Sequence, residues 1–319
     1  MVPETILTKK QEAKENLPFK GRRVFITGGT SGTGLAAAIE IQRLGGEVII
    51  GTRSREHFEK AAGNLTEGKT YPFIADLTKE NQVREEIMHL ATENNLPTDF
   101  IHSAAGGMEA FLGGITFNLA RLLKIKDQKE RQVKIEVLRE RVAEEVNKYQ
   151  SFAQAINFNG AKALMEEMYS ILPEGARLIY YSSPWSSLYN QAKTPLFYQP
   201  IAGTKHMMEE WLSENSKRFT DKGIYPAIIS GTLILDTNIG KVIERLILPL
   251  LSENEREIMR QSAISMKDMV DATVEILKSD PMQWVEYPKR LWVYGEEGQV
   301  KIAEFFPVNN LFMQVIFPF

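Results

Sequence analysis

No cysteine occurs among the 319 residues. That excludes disulfides, thiolate metal sites and a cysteine nucleophile. Histidine is almost as scarce: there are four, scattered, and none falls in a metal-ligand spacing, so no metal site is expected. No apolar run is long enough to span a bilayer. Residues 1–20 are polar and mixed in charge and lack the apolar core of a signal peptide. A cytoplasmic protein with no stable membrane insertion is therefore expected. An excess of positive charge is also missing. Lys plus Arg is 38 against 41 Asp plus Glu, a formal charge of −3. Nothing in that balance supports nucleic-acid binding through a global basic field. No internal repeat or low-complexity segment stands out.

What is present begins with Val24-Phe25-Ile26-Thr27-Gly28-Gly29-Thr30-Ser31-Gly32-Thr33-Gly34. An apolar strand runs into a glycine-rich turn, and Leu35–Ile41 then reads as a helix. Glycines let a backbone turn sharply and approach a pyrophosphate closely. The N–H groups opening the helix then face its negative charge. Gly28, Thr30, Ser31, Gly32, Thr33 and Gly34 are the candidate cofactor contacts. The spacing Thr-Gly-x-x-x-Gly-x-Gly is not the Gly-x-Gly-x-x-Gly fingerprint. It resembles the glycine motif of the short-chain dehydrogenase/reductase family. That resemblance covers residues 20–298 and implies a single α/β domain: a Rossmann-type doubly wound parallel sheet.

Strand two, Glu47–Gly51, is followed by Thr52-Arg53-Ser54-Arg55. An acidic residue here would favour the ribose hydroxyls of NAD. A guanidinium pairs instead with a 2′-phosphate. The expectation is NADP(H), with Arg53 the main contact and Ser54 or Arg55 assisting. Strand three ends at Asp76-Leu77, a pair the resemblance places on the adenine; Asp76 is equally read as an N-cap for a helix beginning near Lys79. Ser103-Ala104-Ala105-Gly106, after strand four, resembles the family's Asn-Asn-Ala-Gly turn without its asparagines. His102 reads as a strand-end residue rather than a catalyst.

Residues 108–150 read as a helical insertion. Phe111–Leu119 is apolar and glycine-hinged, a lid candidate. From about Asp127 a charged amphipathic helix follows, with Val133, Val137, Leu138, Val142, Val146 and Tyr149 at helical spacing. Its continuation, Ala155–Leu164, resembles the family helix that carries a catalytic Asn, which matches Asn157. The resemblance implies that its carbonyl holds a water near the active lysine. Strand five ends at Ser182-Ser183, and the resemblance puts Ser183 in the active-serine place, with Ser182 the second candidate.

The family's Tyr-x-x-x-Lys is absent: Ile201 stands four before Lys205, and Tyr198 stands seven before it. Both spacings return to one helix face. Tyr-x-x-x-x-x-x-Lys together with the intact glycine motif resembles the NADPH-dependent type III enoyl-[acyl carrier protein] reductases. The resemblance implies reduction of a 2-enoyl thioester, carried on acyl carrier protein, in fatty acid or polyketide biosynthesis. Tyr198 would donate to the enolate oxygen, and Lys205 would favour tyrosinate and bind ribose. A 3-oxoacyl or ketone reductase and a non-catalytic NADP-binding regulator stay open beside it.

Strand six is followed by Ser230-Gly231, where the family places Pro-Gly over the nicotinamide, and Thr237 is implied to bond the carboxamide. Ile239–Leu251 reads as an apolar helix in the substrate wall. Residues 1–20 form an N-terminal arm and 21–298 the domain. Residues 299–319 form an apolar tail, expected to bury against its own body or a partner subunit. A homodimer or homotetramer is the assembly the resemblance implies.

Overall fold

The computed structural model describes residues 17–65, 68–106, 116–190, 194–307, 310–315 and 317. The arm up to residue 16, and residues 111–115 of the lid candidate, lie outside them.

Eight strands form one sheet in the order β3-β2-β1-β4-β5-β6-β7-β8. They are β1 Arg23–Thr27, β2 Glu47–Thr52, β3 Thr70–Ile74, β4 Asp99–His102, β5 Arg177–Ser182, β6 Tyr225–Gly231, β7 Lys289–Glu296 and β8 Gln299–Ala303. Every pairing is parallel except β7 with β8. This is the doubly wound α/β fold that the strand–turn–helix start predicts.

Side-chain alternation explains why both faces are covered. Val24 and Ile26 of β1 and Val48 and Ile50 of β2 pack on one face with Ala38, Ile41, Met269, Ala272 and Ile276. Those partners lie on helices Gly32–Arg43 and Met266–Lys278. Phe25 and Ile49 point to the other face and meet Val83, Ile87, Leu164, Met168, Met208 and Leu212. These come from helices Glu80–Thr92, Ala161–Ile171 and Gln199–Asp221.

A third apolar cluster lies beyond the sheet and joins parts far apart in sequence. It unites Leu119 and Leu122, the Gln128–Gln154 helix, Trp185, Phe197, Ile243, Ile247 and the tail residues Phe312, Val315 and Phe317. The tail thus buries against its own chain, one of its two expected places.

Three local expectations are corrected. The amphipathic helix exists, with Asp127 capping it by accepting from the Glu130 N–H at 2.7 Å. Its buried stripe, however, is Ile135, Leu138, Val142 and Val146, while Val133 and Val137 are 63% and 48% exposed. Ile239–Leu251 is not one helix. An α-turn over Asn238–Val242 passes into a π-turn over Ile243–Ile247 and a 3-10 turn over Leu248–Leu250. Pro249 supplies no N–H to continue it. Strand β8 was not anticipated: Glu297 (φ 51°) and Gly298 (φ 77°) make a two-residue reversal that returns Gln299–Ala303 along β7.

Candidate active site

The carboxyl ends of β1, β2, β4, β5 and β6 open on the same edge of the sheet, the usual ligand crevice of such folds. At β1, Gly28 has φ 66°, and a Cβ there would stand 3.0 Å from the Ala104 backbone. A Cβ on Gly34 would stand 2.5 Å from the Gly28 carbonyl oxygen. The turn therefore closes only with glycine at both positions, and it lies directly against the Ser103-Ala104-Ala105 turn. Thr27 ties the two: its Oγ1 accepts from the Ser103 and Ala104 N–H groups at 3.2 and 3.3 Å.

Ser31 opens the Gly32–Arg43 helix without a side-chain capping bond, and a Cβ on Gly32 would meet nothing within 4 Å. A helix start facing open space, flanked by Thr30 and Thr33, fits a pyrophosphate. Arg53 is exposed after β2 and near Asp76. Burial alone would raise the Asp76 carboxyl. Hydrogen bonds from the Thr78 N–H and hydroxyl, at 3.0 and 2.8 Å, and the charge of Arg53 outweigh it and hold that carboxyl below its ordinary value. Asp76 thus makes an Asx turn and does not cap a helix; Lys79 takes the N-cap place before Glu80–Thr92. Leu77 is partly buried beside it. Ser54 accepts from the His57 N–H at 3.4 Å and caps the next helix, so part of its hydroxyl is already engaged.

The candidate reactive residues meet on the far side of β4. Ser183 follows β5 and caps the short helix Pro184–Ser187. The Tyr198 hydroxyl donates to Ser183 Oγ at 3.3 Å, and Ser183 Oγ shares a hydrogen bond of 2.9 Å with Ser186 Oγ. Tyr198 is the N-cap of the Gln199–Asp221 helix, with Pro200 in its first turn. Lys205 lies on that helix; its Nζ donates to the Tyr181 carbonyl at 3.0 Å rather than to the Tyr198 hydroxyl. Burial pushes the Tyr198 hydroxyl up, while bonds to Ser183 and Ser186 moderate the rise. Burial thus favours the neutral, donating form of this hydroxyl in the protein as it stands. Burial also draws the Lys205 ammonium down to about 8.

Asn157 is buried in a π-turn, Ala155–Gly160, inserted between two α-helical stretches. Its Oδ1 accepts from the Gly106 N–H at 2.8 Å, and its Nδ2 donates to the Gly106 carbonyl at 3.1 Å and to Thr204 Oγ1 at 3.3 Å. It clamps the turn after β4 to the helix bearing Lys205. Thr237 likewise serves its own helix, donating to the Ile234 carbonyl at 2.9 Å and accepting from the Gly240 N–H at 3.0 Å. Gly231 closes β6 against Met269. His102 is buried, shares a 3.1 Å bond with Thr27 Oγ1 and stacks on Tyr180 at 5.6 Å. Burial first, and the Lys205 charge second, pull it to about 3, so it stays neutral.

Sequence reasoning missed three polar groups beside this set: Ser186, Ser187 and Glu209. All are buried or half-buried at the end of β5. Among the described residues no cluster of potential metal ligands occurs, and no helix is long and apolar enough to cross a membrane.

Comparison with known proteins agrees with this geometry. A family model described as short chain dehydrogenase matches residues 22–171. A 45-residue stretch is 53% identical to mouse retinol dehydrogenase 14, covering 14% of each chain. A 103-residue stretch is 35% identical to the 3-ketodihydrosphingosine reductase TSC10 of Yarrowia lipolytica, covering 29% of this chain and 27% of that one. These matches span about a quarter or less of the relatives' own length. A dehydrogenase/reductase structure from Sinorhizobium meliloti shares the fold at TM-score 0.60 and 15% identity, over 88% of this chain and 97% of that one.

Proposed function

We propose that this chain is an oxidoreductase of the short-chain dehydrogenase/reductase family and that it reduces the carbonyl of an apolar substrate, with NADPH as the preferred donor. The family binds nicotinamide cofactors, and a reduced nicotinamide supplies hydride. The Gly28–Gly34 turn and the helix start at Ser31 would hold the pyrophosphate, and Arg53 a 2′-phosphate.

One observation carries the reading: the neutral Tyr198 hydroxyl converges with Ser183 and Ser186 at the end of β5. Reduction of a carbonyl needs one proton at the oxygen as hydride reaches the carbon. A hydroxyl kept protonated by burial can give that proton, while Ser183 steadies the developing negative charge. Lys205 stands on the same helix as a charge-bearing donor for ribose hydroxyls.

The neighbourhood favours an apolar substrate. Trp185 packs on Tyr198 with ring centroids 5.3 Å apart, on Phe312 at 4.8 Å and on Phe317 at 5.6 Å. The names of the two sequence relatives, a reductase of 3-ketodihydrosphingosine and a retinol dehydrogenase, point the same way. A second reading, reduction of a 2-enoyl thioester, rests on the seven-residue Tyr198–Lys205 spacing; there the same hydroxyl would donate to an enolate oxygen.

Following NADPH absorbance with a 3-oxoacyl and a 2-enoyl thioester in parallel separates them. Oxidation with the oxo substrate is the expected result; oxidation with the enoyl substrate alone would replace the first reading by the second. Silence with both, despite cofactor binding, would favour a non-catalytic NADP-binding regulator. Tyr198→Phe keeps the ring on Trp185 and removes the proton. It should lower turnover by about 10²–10⁴-fold with cofactor affinity unchanged.

A further inference from the structure

Glu209 lies four residues after Lys205 on the Gln199–Asp221 helix, one turn along the same face. Its side chain is only 4% exposed. It accepts a short hydrogen bond from Ser182 Oγ on β5 and one from Ser187 Oγ at 2.9 Å. Arg290 Nη1 on β7 pairs with it at 2.6 Å and donates to Ser187 Oγ at 2.8 Å. Ser187 in turn shares a 2.8 Å bond with Ser230 Oγ at the end of β6. One carboxylate therefore joins β5, β7, the short helix after β5 and the lysine-bearing helix, and reaches β6 through Ser187. A buried carboxylate is costly unless paired and fully bonded, and a surface-type Glu in a helix needs no such arrangement.

We propose that Glu209, paired with Arg290, is a positioning residue of the active site: it fixes the β5 end that presents Ser183 and sets its carboxylate one helix turn from Lys205. The inference rests on the reading of Ser183, Tyr198 and Lys205 as the reactive set. Ser182 precedes Ser183, so anchoring its hydroxyl fixes the direction in which the next side chain leaves the strand. The groups facing the pair are Arg290 from β7, Tyr180 from β5, His102 from β4, and Lys205 and Tyr198 from or beside their own helix. His102 is neutral, and burial keeps both tyrosines protonated. Glu209 is thus the negative charge opposing proton loss from Lys205, against a burial effect that draws the ammonium down to about 8.

The test follows Lys205 directly in the substrate-free protein. Lysine Cε is labelled with ¹³C, the Lys205 signal is assigned by its loss in Lys205→Arg, and its titration is followed by NMR. Glu209→Gln keeps the size of the side chain and leaves Arg290 unpaired. The Lys205 titration should move down by about one pH unit or more. The alkaline limb of the turnover profile should move with it. Glu209→Asp, which retains the charge, should bring part of the titration back. Glu209→Gln combined with Arg290→Met removes both charges, leaves no buried ion unpaired and should also move the Lys205 titration down, so the proposal stays testable if Glu209→Gln alone folds poorly. A loss of melting temperature with the Lys205 titration unmoved in both variants would reduce Glu209 to a structural residue and overturn the proposal. A titration that moves as stated, in a protein that reduces neither thioester at any pH, would support the hold on Lys205 and sink the reaction reading instead.

Discussion

His102 shows how a single residue's surroundings decide its chemistry. A histidine at the end of β4, beside the cofactor turn, has the right address for a proton carrier. It is instead buried, bonded to Thr27 and stacked on Tyr180, with a folded-state pKa of about 3. An unfolded histidine titrates near 6.5. Between those values the unfolded chain holds a proton that the folded chain does not, so stability contributed here is full above pH 6.5 and falls as pH drops towards 3. Wild type should lose roughly 2–3 kcal/mol more than His102→Gln between pH 7 and 4.5 in urea unfolding. Equal losses would mean that the ring is not buried as described. The residues of the site that were readable in the sequence were those whose type announces a chemistry in a known pattern: the spaced glycines, Ser183, Tyr198 and Lys205. Glu209 was not, because a glutamate in Met207-Met208-Glu209-Glu210 looks like any solvated helix residue. Its burial depends on β5 and β7, which no local pattern reports.

Elements were legible where one period ruled them. The parallel strands β1 to β6 were read from apolar runs bounded by turns. The Gln128–Gln154 helix was found from its periodicity, but its facing was misread by about one residue. Apolar residues lie both on the buried stripe and beside it, and only the partner surface decides between them. Adjacent positions test this. Leu138→Ala empties a buried site and should cost about 2–5 kcal/mol in thermal or urea unfolding, whereas Val137→Ala should cost under about 0.5 kcal/mol. Similar costs for the two would show that the helix is seated on a different face. The π-turn at Ala155–Gly160 had no signature in sequence, since it arises from one extra residue accommodated in a continuous helix. Strand β8 does alternate, Val300 and Ile302 against Gln299 and Lys301, but it spans five residues and lacks the apolar run that revealed the buried strands.

The whole molecule divides its work between two regions. One side of β1 and β4 offers glycine turns and a helix start; the other gathers the hydroxyls under an aromatic cluster that the tail completes. Phe312 is 1% exposed and stacked on Trp185. Phe312→Ala should cost about 3–5 kcal/mol, and it should raise KM for an apolar substrate while the Kd for NADPH stays within about twofold of wild type. A parallel loss of cofactor affinity would place the tail in the dinucleotide site instead. The separation also sets an order of assembly. The strands flanking β1 on both sides are complete by His102, whereas the cluster around Trp185 waits for Phe312 and Phe317, made long after Leu119. On the ribosome those strands can therefore pair early, although their two faces are fully covered only by the later helices Ala161–Ile171, Gln199–Asp221 and Met266–Lys278, and the substrate wall is completed last. Until the tail arrives Trp185, Phe197 and Ile247 lie open, and they are the last greasy surface of the chain that a chaperone would have to shield.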